Sequence, residues 1–141
     1  MEKRFKIGNK IAELGRIRIE IEQDMHALGF SDECRSDVQL VCEEILCNIM
    51  SYGFPERGNE CMEMQFVFDG DSLTLEFIDN GIAFDPLSRP DPDFDDLEAE
   101  DRPVGGFGIY LVKQLTDQQM YQRRAGKNHL TIKQSVSLIE D

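Results

Sequence analysis

Between residues 9 and 28 the apolar side chains Ile11, Leu14, Ile17, Ile21, Met25 and Leu28 fall at steps of three and four, with charged residues between them. That spacing lays one apolar stripe along a helix, and Asn9 offers a side-chain cap for its start. A second helix is expected from Ser31, an N-cap residue followed by Asp32 and Glu33, whose charges suit the positive end of a helix dipole. Val38, Val41, Cys42, Ile45 and Ile49 form its stripe, and Gly53 and Pro55 stop it.

The period then changes to two. Met62, Met64, Phe66 and Phe68 alternate with more polar residues, as do Leu73, Leu75 and Phe77, on either side of the turn Asp69-Gly70-Asp71-Ser72. This predicts an antiparallel hairpin with the phenylalanines turned into the core. From about 85 to 104 the pattern disappears. That stretch holds four of the five prolines and the acids Asp91, Asp93, Asp95, Asp96, Glu98, Glu100 and Asp101, so a long loop is expected. Loops of this length in small domains are commonly lids or other functional segments. From Gly105 the sequence GGFGIYLVKQLTDQQ reads as a glycine turn entering a third helix, and MYQRRAG and HLTIKQSV read as two strands about a GKN turn. Helices and strands are segregated, which favours an α+β two-layer sandwich over alternating βαβ units.

With 141 residues the chain has the size of one domain, 1–141, and its 40% hydrophobic content suffices for a packed interior. Its 28 acidic and 15 basic residues give a net charge of −13, the wrong sign for a nucleic-acid binder. No apolar run approaches the length of a membrane span, and no secretory signal follows the charged N-terminus, so the expected location is the cytoplasm. Cys34, Cys42, Cys47 and Cys61 lack the paired short spacings of zinc sites and read as reduced thiols. His129 reads as a half-exposed strand residue.

Three groups of residues could carry chemistry. Glu44 and Asn48, four apart on the second helix, project from one face one turn apart. An Asn oxygen and substrate phosphates together suit Mg²⁺, which would leave the Glu free to take a proton. The same spacing also occurs in ordinary polar pairs at a helix border. In FIDNGIAFDP, Asp79 closes an apolar strand two residues before Gly81. A carboxylate held there can accept from an exocyclic amine while a glycine lets a flat base approach; a plain strand-ending turn explains the residues equally. Gly105, Gly106 and Gly108 precede a helix whose free N–H groups attract phosphate, although a glycine-rich helix entry needs no ligand.

The order of these groups, Glu-x-x-x-Asn on a helix, Asp-x-Gly at a strand end, an irregular segment, then Gly-x-Gly opening a helix, resembles the N box and glycine boxes of the GHKL ATPase superfamily. The segments EEILCNIMSYGFP, DNGIAFDP and RPVGGFGIYLVKQLTDQQMYQRRAGKNHLTIKQ are similar to anti-sigma factor serine/threonine kinases of the RsbW and SpoIIAB type, over about 38 to 134. The resemblance implies a Bergerat fold, a mixed and mostly antiparallel sheet covered on one face by about three helices, with residues 85–104 as the ATP lid. It implies ATP and Mg²⁺ as cofactors, Glu44 as general base and Asn48 as Mg²⁺ ligand. Asp79 and Gly81 would read adenine, while Gly105, Gly106 and Gly108 would flank the phosphates. It further implies a STAS-domain anti-anti-sigma protein as phosphoacceptor, a sigma factor as the competing partner, and a homodimer formed near the first helix.

The chain departs from that pattern in having Ser51 and Tyr52 where many such kinases carry basic or histidine residues, and in its acidic lid. Arg89 and Arg102 are the basic groups left near it, and Arg102 is the candidate for the γ-phosphate. A nucleotide-gated binding module with little phosphotransfer, or a detached histidine-kinase catalytic domain, are the alternatives.

Overall fold

A strand comes before the two helices that the apolar stripes require. The computed structural model describes residues 1–54, 58, 60–88 and 106–139. Its elements run β1 (Glu2–Ile7), α1 (Ala12–Ala27), α2 (Asp32–Tyr52), β2 (Met62–Phe68), β3 (Ser72–Asp79), α3 (Gly106–Leu115), β4 (Gln118–Arg124) and β5 (Lys127–Ser135). A 3-10 turn spans Pro86–Ser88, at the start of the segment expected to be wholly irregular. Arg89, Arg102, Gly105, Pro55 and the acids from Asp91 to Asp101 lie outside the described residues.

The five strands form one sheet in the order β1-β2-β3-β5-β4, every neighbouring pair antiparallel, which corrects the mixed sheet that the resemblance implied. Alternation then dictates which residues face the helices: Phe5 and Ile7, Met62 to Phe68, Leu73 to Asp79, and Asn128, Leu130 and Ile132 are buried at every second position. Ile17, Ile21 and Met25 of α1 and Val38, Val41, Cys42, Ile45 and Leu46 of α2 close the core from one side. Phe30, between the two helices, is fully buried and meets Phe68 edge-on at 4.9 Å between ring centroids.

Two local expectations are corrected. Asn9 does not cap α1: Ile11 already has helical angles and makes no side-chain cap bond, and the incoming turn is held by Glu13, whose Oε1 accepts from the Gly8 N–H at 2.9 Å. α1 ends in a Schellman arrangement, with Gly29 N–H on His26 O and Phe30 N–H on Met25 O, and this sends Phe30 into the core. The last hairpin turns at Ala125 (φ 53°) and Gly126, not at the GKN segment, so Lys127 and Asn128 belong to β5. Ser31 caps α2 as expected, accepting from the Cys34 N–H at 3.2 Å, and Gly53 closes it. All four cysteines are free, with Cys34 and Cys42 buried. Among the described residues no helix is long and apolar enough to cross a membrane.

Candidate functional site

Ile45, Asn48, Ile49 and Tyr52 recur at helical spacing along α2 and share a face that walls a cavity of about 350 Å³. The opposite wall comes from Asp79 at the end of β3, Ile82 and Phe84 just beyond it, Ile109 of α3, and Tyr121 and Asn128 of the last hairpin. Mostly apolar walls with a few polar groups at fixed places suit a flat heterocycle. A wider groove of about 670 Å³ between α1 and α2 contains none of the motif residues and is rimmed by Arg18, Glu22, Arg35 and Glu43.

Asp79 is 5% exposed, so its carboxylate needs partners. Its Oδ1 accepts from the Gly81 N–H and from Asn128 Nδ2, each at 2.9 Å, whereas Oδ2 accepts no bond from the described residues. Gly81 is a glycine by necessity: an added Cβ would lie 2.3 Å from the Gly53 carbonyl oxygen. The neighbouring Ile82 N–H donates to that same oxygen at 2.9 Å, and Arg123 Nη1 holds the Gly81 carbonyl at 2.9 Å. The end of α2 is thereby fastened to the segment that carries Asp79.

Asn48 lies in the cavity wall, and nothing among the described residues hydrogen-bonds its carboxamide. Glu44, one turn earlier, stands beside the cavity and against α3, where an added Cβ on Gly108 would meet its Oε2 at 2.2 Å. Partial burial, and then the charge of Glu43, push the Glu44 carboxyl above the ordinary carboxylate range. Among the described residues no salt bridge offsets this. α3 begins at Gly106, earlier than the expectation that the glycines precede it, so Gly106 and Gly108 both sit in its first turn, where N–H groups lack helical acceptors. Gly105 and Arg102 are outside the described residues.

The structure thus brings Asn48, Asp79 and the Gly81 turn around one cavity and sets Glu44 and Gly108 in contact beside it. Sequence reasoning missed Asn128, Tyr121 and Arg123. The GKN pattern puts Asn128 in a turn, yet extending the Leu130-Ile132 alternation back by one step places it inward. His129, on the opposite face, pairs with Glu76 at 2.8 Å, a cross-strand partner that local sequence did not offer.

An α+β sandwich with a mostly apolar cavity carrying a few fixed polar groups defines a small-molecule-binding class of domain. Residues 8–134 match the family model described as histidine kinase-like ATPase domain, and the chain belongs to that family. It is 30% identical over 103 residues to the serine/threonine-protein kinase BtrW of Bordetella bronchiseptica, covering 73% of this chain and 72% of that protein. It is 28% identical over 116 residues to the serine-protein kinase RsbW of Bacillus cereus (80% and 72%), and 27% identical over 92 residues to RsbW of Listeria monocytogenes, of which it spans 59%. A crystal structure of the RsbU and RsbW domains of a Mycobacterium tuberculosis protein superposes with a TM-score of 0.67 at 13% identity, over 96% of this chain and 32% of that one. That likeness supports the fold.

Proposed function

We propose that this chain is an ATP-dependent serine/threonine protein kinase, with the adenine in the cavity between α2 and β3 and the phosphates at the start of α3. The observation that carries the reading is the pair of groups facing that cavity: on one side the Asn48 carboxamide and on the other Asp79 Oδ2, neither of them hydrogen-bonded among the described residues. Asp79 and Gly81 would receive the base, and Gly105, Gly106 and Gly108 the phosphates. Asn48 fits a hard cation, because Mg²⁺ accepts a single amide oxygen when phosphates and water supply the rest. Bound Mg²⁺ would neutralise phosphate charge.

Glu44 is the proposed general base. Transfer to a serine requires its hydroxyl proton to leave as the phosphoryl group passes, and a carboxylate with a raised pKa beside the phosphate site can take it. The phosphoacceptor we propose is a STAS-domain anti-anti-sigma protein, with a sigma factor as the competing partner, so that one surface serves two ligands. A cytoplasmic location and a homodimer belong to the same proposal, and sedimentation velocity tests the latter.

The test is incubation with labelled ATP, Mg²⁺ and the STAS partner. Wild type is expected to place phosphate on a Ser or Thr, and Glu44→Gln to abolish transfer while leaving ATP affinity nearly unchanged. One observation favours a second reading, a binding module that transfers little phosphate: among the described residues, no Lys or Arg lines the cavity. ATP binding without transfer by the wild type would select it.

A further inference from the structure

Asn128 spends all four of its side-chain hydrogen-bonding positions on the protein. It is 6% exposed and stands directly opposite Asp79 in the β3–β5 register. Nδ2 donates to Asp79 Oδ1 at 2.9 Å and to the Ile82 carbonyl at 2.7 Å. Oδ1 accepts from the Phe84 N–H at 3.3 Å and from the Tyr121 hydroxyl.

The chemistry of these partners leaves one arrangement. A carboxylate and a peptide carbonyl can only accept, so the amide nitrogen must face Asp79 and Ile82. Its oxygen therefore faces Tyr121, and an amide oxygen can only accept, so the phenol must donate. Once its proton is committed, the Tyr121 oxygen offers lone pairs alone. Tyr121 and Asp79 both line the cavity, and both are held by this one side chain.

Building on the adenine reading above, we infer that Tyr121 is a second base-reading residue, and that Asn128 is the positioning residue that makes it an acceptor while aiming Asp79 Oδ2 into the cavity. The polar end of the cavity then presents acceptors only. It takes a base edge bearing an amino group and rejects one bearing a carbonyl at the same place, because two acceptors would face each other without a proton between them.

The experiment compares the affinities of ATP and inosine triphosphate, whose base has a carbonyl in place of the amine, by calorimetry in the presence of Mg²⁺. Wild type is expected to prefer ATP. Tyr121→Phe, which keeps the ring, should reduce that preference about fivefold by deleting one acceptor. Asn128→Leu should reduce it about tenfold or more by releasing both Asp79 and Tyr121. A purely structural role would lower both affinities together, or lower only the melting temperature, and leave the ratio unchanged. Should Asn128→Leu not fold, the Tyr121→Phe ratio decides. An Asp79→Asn variant separates the two readings. If it abolishes the ATP preference while Tyr121→Phe and Asn128→Leu preserve it, adenine recognition stands and this inference is overturned. If wild type binds no adenine nucleotide, the underlying site assignment fails and this inference with it.

Discussion

Oε2 of Glu44 occupies the space in which a side chain on residue 108 would begin: a Cβ there would lie 2.2 Å from it and 3.1 Å from the Glu44 carboxyl carbon. The obstacle is the far end of a flexible side chain, so Gly108→Ala should fold with little loss of stability by swinging Glu44 away. What it removes is the position of the carboxylate. Phosphoryl transfer is expected to fall about a hundredfold, the scale of a misplaced reacting group, while the melting temperature stays close to wild type. Single-turnover transfer rates and thermal denaturation on the same samples check both halves.

Gly81→Ala should behave in the opposite way. Here the obstacle is backbone, the Gly53 carbonyl oxygen at 2.3 Å, which also accepts the Ile82 N–H and cannot yield alone. The end of α2 and the turn after β3 must separate, at a cost of about 1–3 kcal/mol by the scale of overpacked sites. Urea unfolding should show the shift, and ATP binding should weaken because Asp79 Oδ1 loses its Gly81 partner.

As the proposed general base, Glu44 should give opposing pH dependences to stability and activity. Burial raises its pKa in the folded chain, so the folded state holds the proton more tightly than the unfolded chain does. Its contribution to stability is therefore greatest in acid and is lost as pH rises from the ordinary carboxylate range through the raised value. A general base must be ionised, so phosphotransfer should fail as pH drops through that same raised value. The acid limb of a kcat/KM profile should lie above the normal range of a glutamate. Glu44→Gln should relieve the stability cost at neutral pH, seen as a higher melting temperature there than in wild type.

Glu13 titrates the other way. The Arg16 side chain first, and then the Gly8 N–H, hold its pKa down to about 2. Its contribution is complete above the unfolded carboxylate value and disappears as pH falls through about 2. A carbon-detected NMR titration should return that midpoint. Glu13→Gln should destabilise the chain at neutral pH and leave it indistinguishable from wild type at the acid end.

Long periodic elements are legible in the sequence, because α2 carries its stripe for 21 residues behind a Ser31 cap and β2 and β3 alternate without a break. β1 is not, since Phe5 and Ile7 are its only fully buried residues and an edge strand needs no more. Asn9 had the chemistry of a cap, but Glu13 supplies the acceptor that the turn needs. In the candidate site, Glu44, Asn48, Asp79 and Gly81 were legible through their order along the chain. The parts played by Asn128 and Tyr121 arise from pairing across strands. Asn128 meets Asp79 over a separation of 49 residues, and no local pattern announces such a contact.

β5 follows β4 in the chain yet lies between β3 and β4 in the sheet. The β4–β5 hairpin is local in sequence, but its docking onto β3 closes one of the longest sequence gaps in the fold, a slow kind of step. Asp79, Asn128 and Tyr121 meet only after that docking, so the polar end of the cavity does not exist on a partly assembled sheet. A ligand that bridges them would bind the completed sheet alone and stabilise it by mass action, so under the proposed function the nucleotide would clamp this long-range closure as well as serve as substrate.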